Sequence, residues 1–224
     1  MELELLPRIV LFGPPGSGKG TQGSILFHRL LIPHLSTGDM LRAAMAANSP
    51  LGQKIRDTMN SGKLVSDEEV EEILQERLNA SDCQSGWILD GYPRRTSQAH
   101  TLEQFAPPTL AIQFSLSDEE AALRLATRRT CANGHLYSIR GYFPDDGLCL
   151  HCQHPLVERP EDATPEKNNE RLRIYRLATE PIKEYYTTKR KLLTINAAPA
   201  IPDVTRSLLD HPLISRWARQ AKTR

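Results

Sequence analysis

The run Arg8-Ile9-Val10-Leu11-Phe12, followed at once by Gly13-Pro14-Pro15-Gly16-Ser17-Gly18-Lys19, constrains this chain more than any other feature. A short, uninterrupted β-prone stretch stopped by turn residues reads as a buried parallel strand. Glycines then allow successive backbone N–H groups to point inward as an anion nest, at the positive end of a helix predicted over about Lys19 to Leu30. The spacing is the Gly-x4-Gly-Lys pattern of a phosphate-binding loop, with Lys19 as a point charge for β and γ phosphates. Gly13, Gly16, Ser17, Gly18, Lys19, Gly20 and Thr21 are therefore candidate nucleoside triphosphate contacts. Gly20 stands where the general pattern has the Ser or Thr that holds magnesium. Mg2+ is accordingly expected to be held mostly through water and phosphates, with Asp90 as an outer carboxylate.

The rest of the chain repeats the strand–turn–helix rhythm. Gly86-Trp87-Ile88-Leu89-Asp90 and Thr109 to Phe114 are further buried-strand candidates, and Leu192 to Ile195 is a short one. Ser66-Asp67-Glu68-Glu69 and Ser117-Asp118-Glu119-Glu120 are capping boxes. They open helices predicted to end near Asn79 and Arg129. A long helix is expected from about Pro165 to Lys191, then a C-terminal helix and a solvated basic tail, Arg216 to Arg224. Alternation of this kind predicts an α/β fold, a parallel sheet wound by helices on both faces.

Residues 130–165 break the rhythm and read as a loop-rich insert. Cys131-x3-His135 and Cys149-x2-Cys152 offer four N/S ligands in two pairs, the count for a closed, structural zinc site. His151 and His154 are rival ligands, and a metal-free insert is the alternative. Cys83 reads as a small buried hydrophobe.

With 39% hydrophobic residues, 25% charged residues and a net charge of +1 across 224 residues, the composition is that of a globular chain. No global pull toward nucleic acid or membrane follows. The absence of a secretory pattern and the few cysteines lead to the expectation of a cytoplasmic protein.

Two more segments suit a second phosphorylated ligand: Leu35-Ser36-Thr37-Gly38-Asp39-Met40-Leu41-Arg42 and Asp90-Gly91-Tyr92-Pro93-Arg94-Arg95. With these, the chain resembles the adenylate kinases, in their form with a long lid. The likeness runs through Gly13–Gln22, Leu35–Ala44, Gly62–Asp67, Gly86–Gln98, Arg124–Arg129 and Arg171–Tyr186. It implies reversible transfer from Mg-ATP to AMP, giving two ADP, by a monomer. It also implies a core of residues 1–35, 68–127 and 166–224, an AMP-binding lobe of 36–67 and a lid of 128–165.

By the same resemblance, Thr37, Arg42, Lys63, Val65, Gly91, Arg94 and Gln98 contact AMP. Arg124 and Tyr137 lie on the ATP side, Asp39 joins Asp90 around magnesium, and Lys19, Arg94, Arg128, Arg159 and Arg171 act in catalysis. The chain departs from the family at Gly134, where a second cysteine is usual, and at Gly141-Tyr142-Phe143-Pro144. It departs again at Asn196-Ala197-Ala198-Pro199, beside the expected donor base. A donor such as GTP, or a silent nucleotide-binding regulator, are the alternatives carried forward.

Overall fold

The computed structural model describes residues 5–46, 56, 65–138 and 144–223. Five parallel strands form its sheet: β1 (Arg8–Phe12), β2 (His34–Ser36), β3 (Trp87–Asp90), β4 (Leu110–Ser115) and β7 (Leu192–Asn196), in the order β2-β3-β1-β4-β7. β1 pairs with β3 on one side and β4 on the other, the chain running from β1 out to β2 on one side and later crossing from β3 over β1 to β4. This switch point opens a crevice at the strands' C-terminal edge, where open α/β sheets bind ligands.

Alternation along each strand builds two cores. Val10, Phe12, Trp87, Leu89 and Ala111 face one side, beneath α3 (Asp67–Leu78), α4 (Thr96–Phe105) and α7 (Ile182–Thr188). Ile9, Leu11, Ile88, Ile112 and Phe114 face the other, beneath α1 (Lys19–Leu30), α5 (Asp118–Ala126), α6 (Pro165–Ile174), α8 (Ile201–Leu209) and α9 (Pro212–Ala221). Because both faces are buried, the strands read as apolar runs rather than alternating ones.

Both capping boxes open helices as expected, with Ser66 and Ser117 accepting from the N–H groups of Glu69 and Glu120. Other boundaries differ from the sequence reading. The helix after β4 stops at Ala126, and Arg129 instead starts β5 (Arg129–Thr130), an antiparallel ribbon with β6 (Leu136–Tyr137). The long helix from Pro165 is broken. A π-helical turn at Tyr175–Thr179 is closed by Glu180 N–H donating to Tyr175 O at 2.8 Å, and Pro181, lacking an N–H, separates it from α7.

Strand β2 carries no long apolar run and was not foreseen. It is recruited by pairing with β3, His34 opposite Ile88 and Ser36 opposite Asp90. The basic tail is also a correction. Its first part belongs to α9, which buries Trp217 and Ala221 and ties Trp217 Nε1–H to Leu5 O at 2.8 Å.

Candidate active site

All five strands point the same way, so their C-terminal ends deliver residues distant in sequence to one edge. β1 delivers the phosphate loop. Gly18 is the N-cap of α1 with φ +82°, a left-handed conformation that glycine adopts without steric cost. Gly13 and Gly16 also have positive φ, and an added Cβ at Gly13 would meet Phe114 O at 2.5 Å. Lys19 Nζ folds back to donate to Gly13 O and Pro14 O, both at 2.9 Å, and to Ser17 Oγ at 3.3 Å. Desolvation lowers its pKa to about 8. Asp90 opposes that shift, while Arg94, Arg128 and Arg171 add to it. Thr21, on α1, is half-buried.

β3 delivers Asp90 and Gly91. Burial would raise the Asp90 carboxyl, but interaction with His34 and the charges of Lys19 and Arg94 outweigh it and hold the group below its ordinary value. A Cβ at Gly20 would sit 3.6 Å from Asp90 Oδ2 and 3.9 Å from Leu136 Cδ1. Where the general pattern carries a hydroxyl, this chain leaves space facing a carboxylate. Gly91 has φ +87°, and a Cβ there would come within 2.6 Å of Thr37 Oγ1. Thr37 opens α2 (Thr37–Ala46) and donates to Asp90 O at 3.2 Å.

Of the remaining residues expected to contact AMP, Arg94 and Gln98 lie beside this turn. Arg94 Nε donates to Gly91 O at 2.7 Å, and desolvation lowers the pKa of its guanidinium. Gln98 is buried with both ends of its amide engaged: Oε1 accepts from Arg94 N at 2.6 Å and Nε2 donates to Asp67 Oδ1 at 2.8 Å. Val65 is buried in the core cluster under α3. Arg42 pairs with Asp39 and, at 3.2 Å, with Glu161. Asp39 thus faces Arg42, and the structure shows no contact that brings it to Asp90. Lys63 lies outside the described residues.

Residues 124–171 add cations held by carboxylates. Asp162 is buried and bridges Arg128 and Arg171. Desolvation and neighbouring charge, chiefly Arg128, lower both Arg159 and Arg171 to about 10. Arg124 is fixed by Glu120 Oε1 at 2.8 Å and by Ala198 O at 3.1 Å, which ties it to the loop after β7. Sequence reasoning missed Glu161 and Asp162. The acidic pair immediately after Arg159-Pro160, in a stretch otherwise read for its arginines, was the available signal.

Residues Cys131, His135, Cys149 and Cys152 come together, with one ligand atom from each within 4.8 Å of the others. His135 Nδ1 lies 3.3 Å from Cys131 Sγ and 3.4 Å from Cys149 Sγ, and Cys152 Sγ lies 3.5 Å from Cys131 Sγ. Zn–S bonds of 2.3 Å at tetrahedral angles separate ligand sulfurs by about 3.7 Å, so the cluster fits zinc. His135 fills the place left by Gly134. His151 stacks on His135 at 4.8 Å, and His154 Nδ1 lies 3.1 Å from Cys152 O, so neither rival joins the four. Tyr137, expected on the ATP side, has its hydroxyl 3.5 Å from Cys149 Sγ and accepts there from Leu150 N–H at 2.9 Å. That hydroxyl serves the lid's interior.

A family model described as Adenylate kinase matches residues 11–191. The adenylate kinase of Thermosipho africanus is 39% identical over 209 residues, covering 90% of this chain and 97% of the relative. That of Treponema denticola is 40% identical over 200 residues, covering 88% and 95%, and that of Thermodesulfovibrio yellowstonii 38% over 209, covering 90% and 96%. On sheet order, phosphate loop and these matches along nearly its whole length, the chain belongs to the adenylate kinase family.

Proposed function

We propose that the crevice at the sheet's C-terminal edge transfers a phosphoryl group between Mg-ATP and AMP. The convergence of Arg94, Arg128 and Arg171 on Lys19, close enough to depress its pKa, carries this reading. Such crowding of like charge is unfavourable in an empty site and becomes favourable when polyphosphate enters.

The phosphate loop's N–H groups and Lys19 cradle the donor, with Lys19 exchanging loop carbonyls for phosphate oxygens. Thr37, Arg42, Gly91, Arg94 and Gln98 receive the acceptor, and Lys63 and Val65 belong to the same pocket. Gln98 must release Asp67 or Arg94 N–H to address a base. Arg128, Arg159 and Arg171 surround the transferring group with guanidinium forks. An ionised AMP phosphate is already a nucleophile, so positioning and charge stabilisation suffice without a general base.

Magnesium would arrive with ATP and would supply neutralisation of the phosphate charge. Gly20 and Asp90 supply the room and the outer carboxylate for its water shell; Asp39 is the weaker candidate, given its bond to Arg42. Arg124 flanks the donor side. Residues 36–67 and 128–165 act as lobes that close over the core residues and shut out water.

The four lid ligands hold a structural zinc that substitutes for an apolar core. Metal analysis of protein purified without chelator should find about one equivalent of zinc. Well under half an equivalent would remove the zinc assignment. We further read the enzyme as a cytoplasmic monomer; among the described residues no helix is long and apolar enough to cross a membrane.

A coupled assay of ADP formation from Mg-ATP and AMP tests the reaction. Rapid turnover is expected, lost by about 100-fold or more in Lys19→Ala. Folded protein that binds ATP without forming ADP would reject it.

A further inference from the structure

His34 enters the site only through its interaction with Asp90, and its surroundings are built around it. The β2–β3 register sets His34 two residues before Ser36, the partner of Asp90, so its imidazole lies on the face covered by α1. There α1 presents Gly23, and an added Cβ at Gly23 would stand 2.3 Å from His34 Nε2. Any larger residue would displace the ring. Nε2 is buried, finds no hydrogen-bond partner, and has Asp90 Oδ2 as an acidic neighbour at 3.9 Å. This is about 1 Å beyond a hydrogen bond, within the reach of a small side-chain rotation.

Asp90 sits between two attractions. Lys19 draws it toward the phosphate loop, and a close Lys19–Asp90 pair would withdraw both groups from the ligand they are to share. A donor on the opposite side counters that pull. We propose that His34 is a positioning residue for Asp90, its Nε2–H closing on Oδ2 and aiming the carboxylate at the magnesium water shell rather than at Lys19. Ligand-holding carboxylates are commonly fixed by such a second hydrogen bond. The inference rests on the assignment of Asp90 to that shell.

The measurement is the gain in affinity for a non-hydrolysable ATP analogue when Mg2+ replaces EDTA, by calorimetry, for wild type, His34→Leu, His34→Gln and Asp90→Asn. His34→Leu should lose about tenfold or more of the magnesium-dependent gain, with binding in EDTA unchanged. His34→Gln, which keeps a donor, should retain the gain to within about threefold. If Asp90→Asn loses the gain and His34→Leu keeps it, the role of His34 is overturned alone. If Asp90→Asn keeps it, the assignment of Asp90 fails, and the inference with it. Should His34→Leu not fold, nitrogen-15 spectra of the wild type decide. A protonated Nε2 whose resonance moves when Mg2+ joins the analogue supports the role, and an unprotonated Nε2 overturns it.

Discussion

Lys19 shows how a single group reports the state of the whole site. Desolvation and three arginines outweigh Asp90 and lower the pKa of its amine to about 8. Entry of a polyanion reverses that balance, so ATP binding at pH 8 is expected to take up a proton. Calorimetry in buffers of different ionisation heat should show the uptake at pH 8 and its disappearance near pH 6.5. The sign for stability follows from the same shift. Between about pH 8 and 10.5 the unfolded chain keeps a proton that the native chain has released, so this group's contribution to stability rises with pH across that window. Asp162 carries the opposite lesson. It is a buried carboxylate between two largely buried arginines, and its removal leaves both unpaired. Asp162→Ala should cost about 3 kcal/mol or more, read as a lowered urea midpoint. The position of Lys19 was legible from spacing alone. The role of Asp162 was not, because a carboxylate that neutralises two arginines from different segments leaves no local pattern in the chain.

At the scale of elements, the turn after β3 is the most exacting piece. Gly91 combines a left-handed backbone with the 2.6 Å approach of Thr37 Oγ1. Gly91→Ala is expected to raise KM for AMP several-fold while changing KM for ATP little, and steady-state kinetics with each substrate varied in turn would check it. The insert between α5 and α6 is a second such element: two short strands, the Thr130–Val157 and Leu148–Pro155 bridges, and the cysteine–histidine cluster. Chelation should speed amide exchange across residues 128–138 and 144–165 while leaving the five-stranded sheet protected, as exchange followed by mass spectrometry would show. Strands β1, β3 and β4 and the capped helices were readable because apolar runs and caps are local. Strand β2 and the broken helix before Pro181 were not. Three residues such as His34–Ser36 become a strand only when a neighbour supplies the hydrogen bonds, and the wider Glu180-to-Tyr175 bond of a π-helical turn leaves no periodic mark in the sequence.

Across the whole molecule, segments far apart in sequence are joined by charge. Arg42, on α2, meets Glu161, in the segment before α6. On the proposed assignment of Arg42 to the acceptor, AMP displaces that carboxylate, so Glu161→Gln should lower KM for AMP by about fivefold, the effect of removing an ion pair worth about 1 kcal/mol. An unchanged or higher KM would show that the contact assists binding. The same contact recurs in other guises: Asp162 on Arg128 and Arg171, Asp90 beside Lys19, Glu120 on Arg124. The crevice therefore behaves like a charged ion exchanger whose resin is loaded with its own carboxylates. A nucleotide enters by swapping one set of anions for another rather than by condensing onto bare cations. Added salt weakens the resident pairs and the incoming ones together, so its effect on nucleotide affinity is shallower than a count of the site's arginines would suggest.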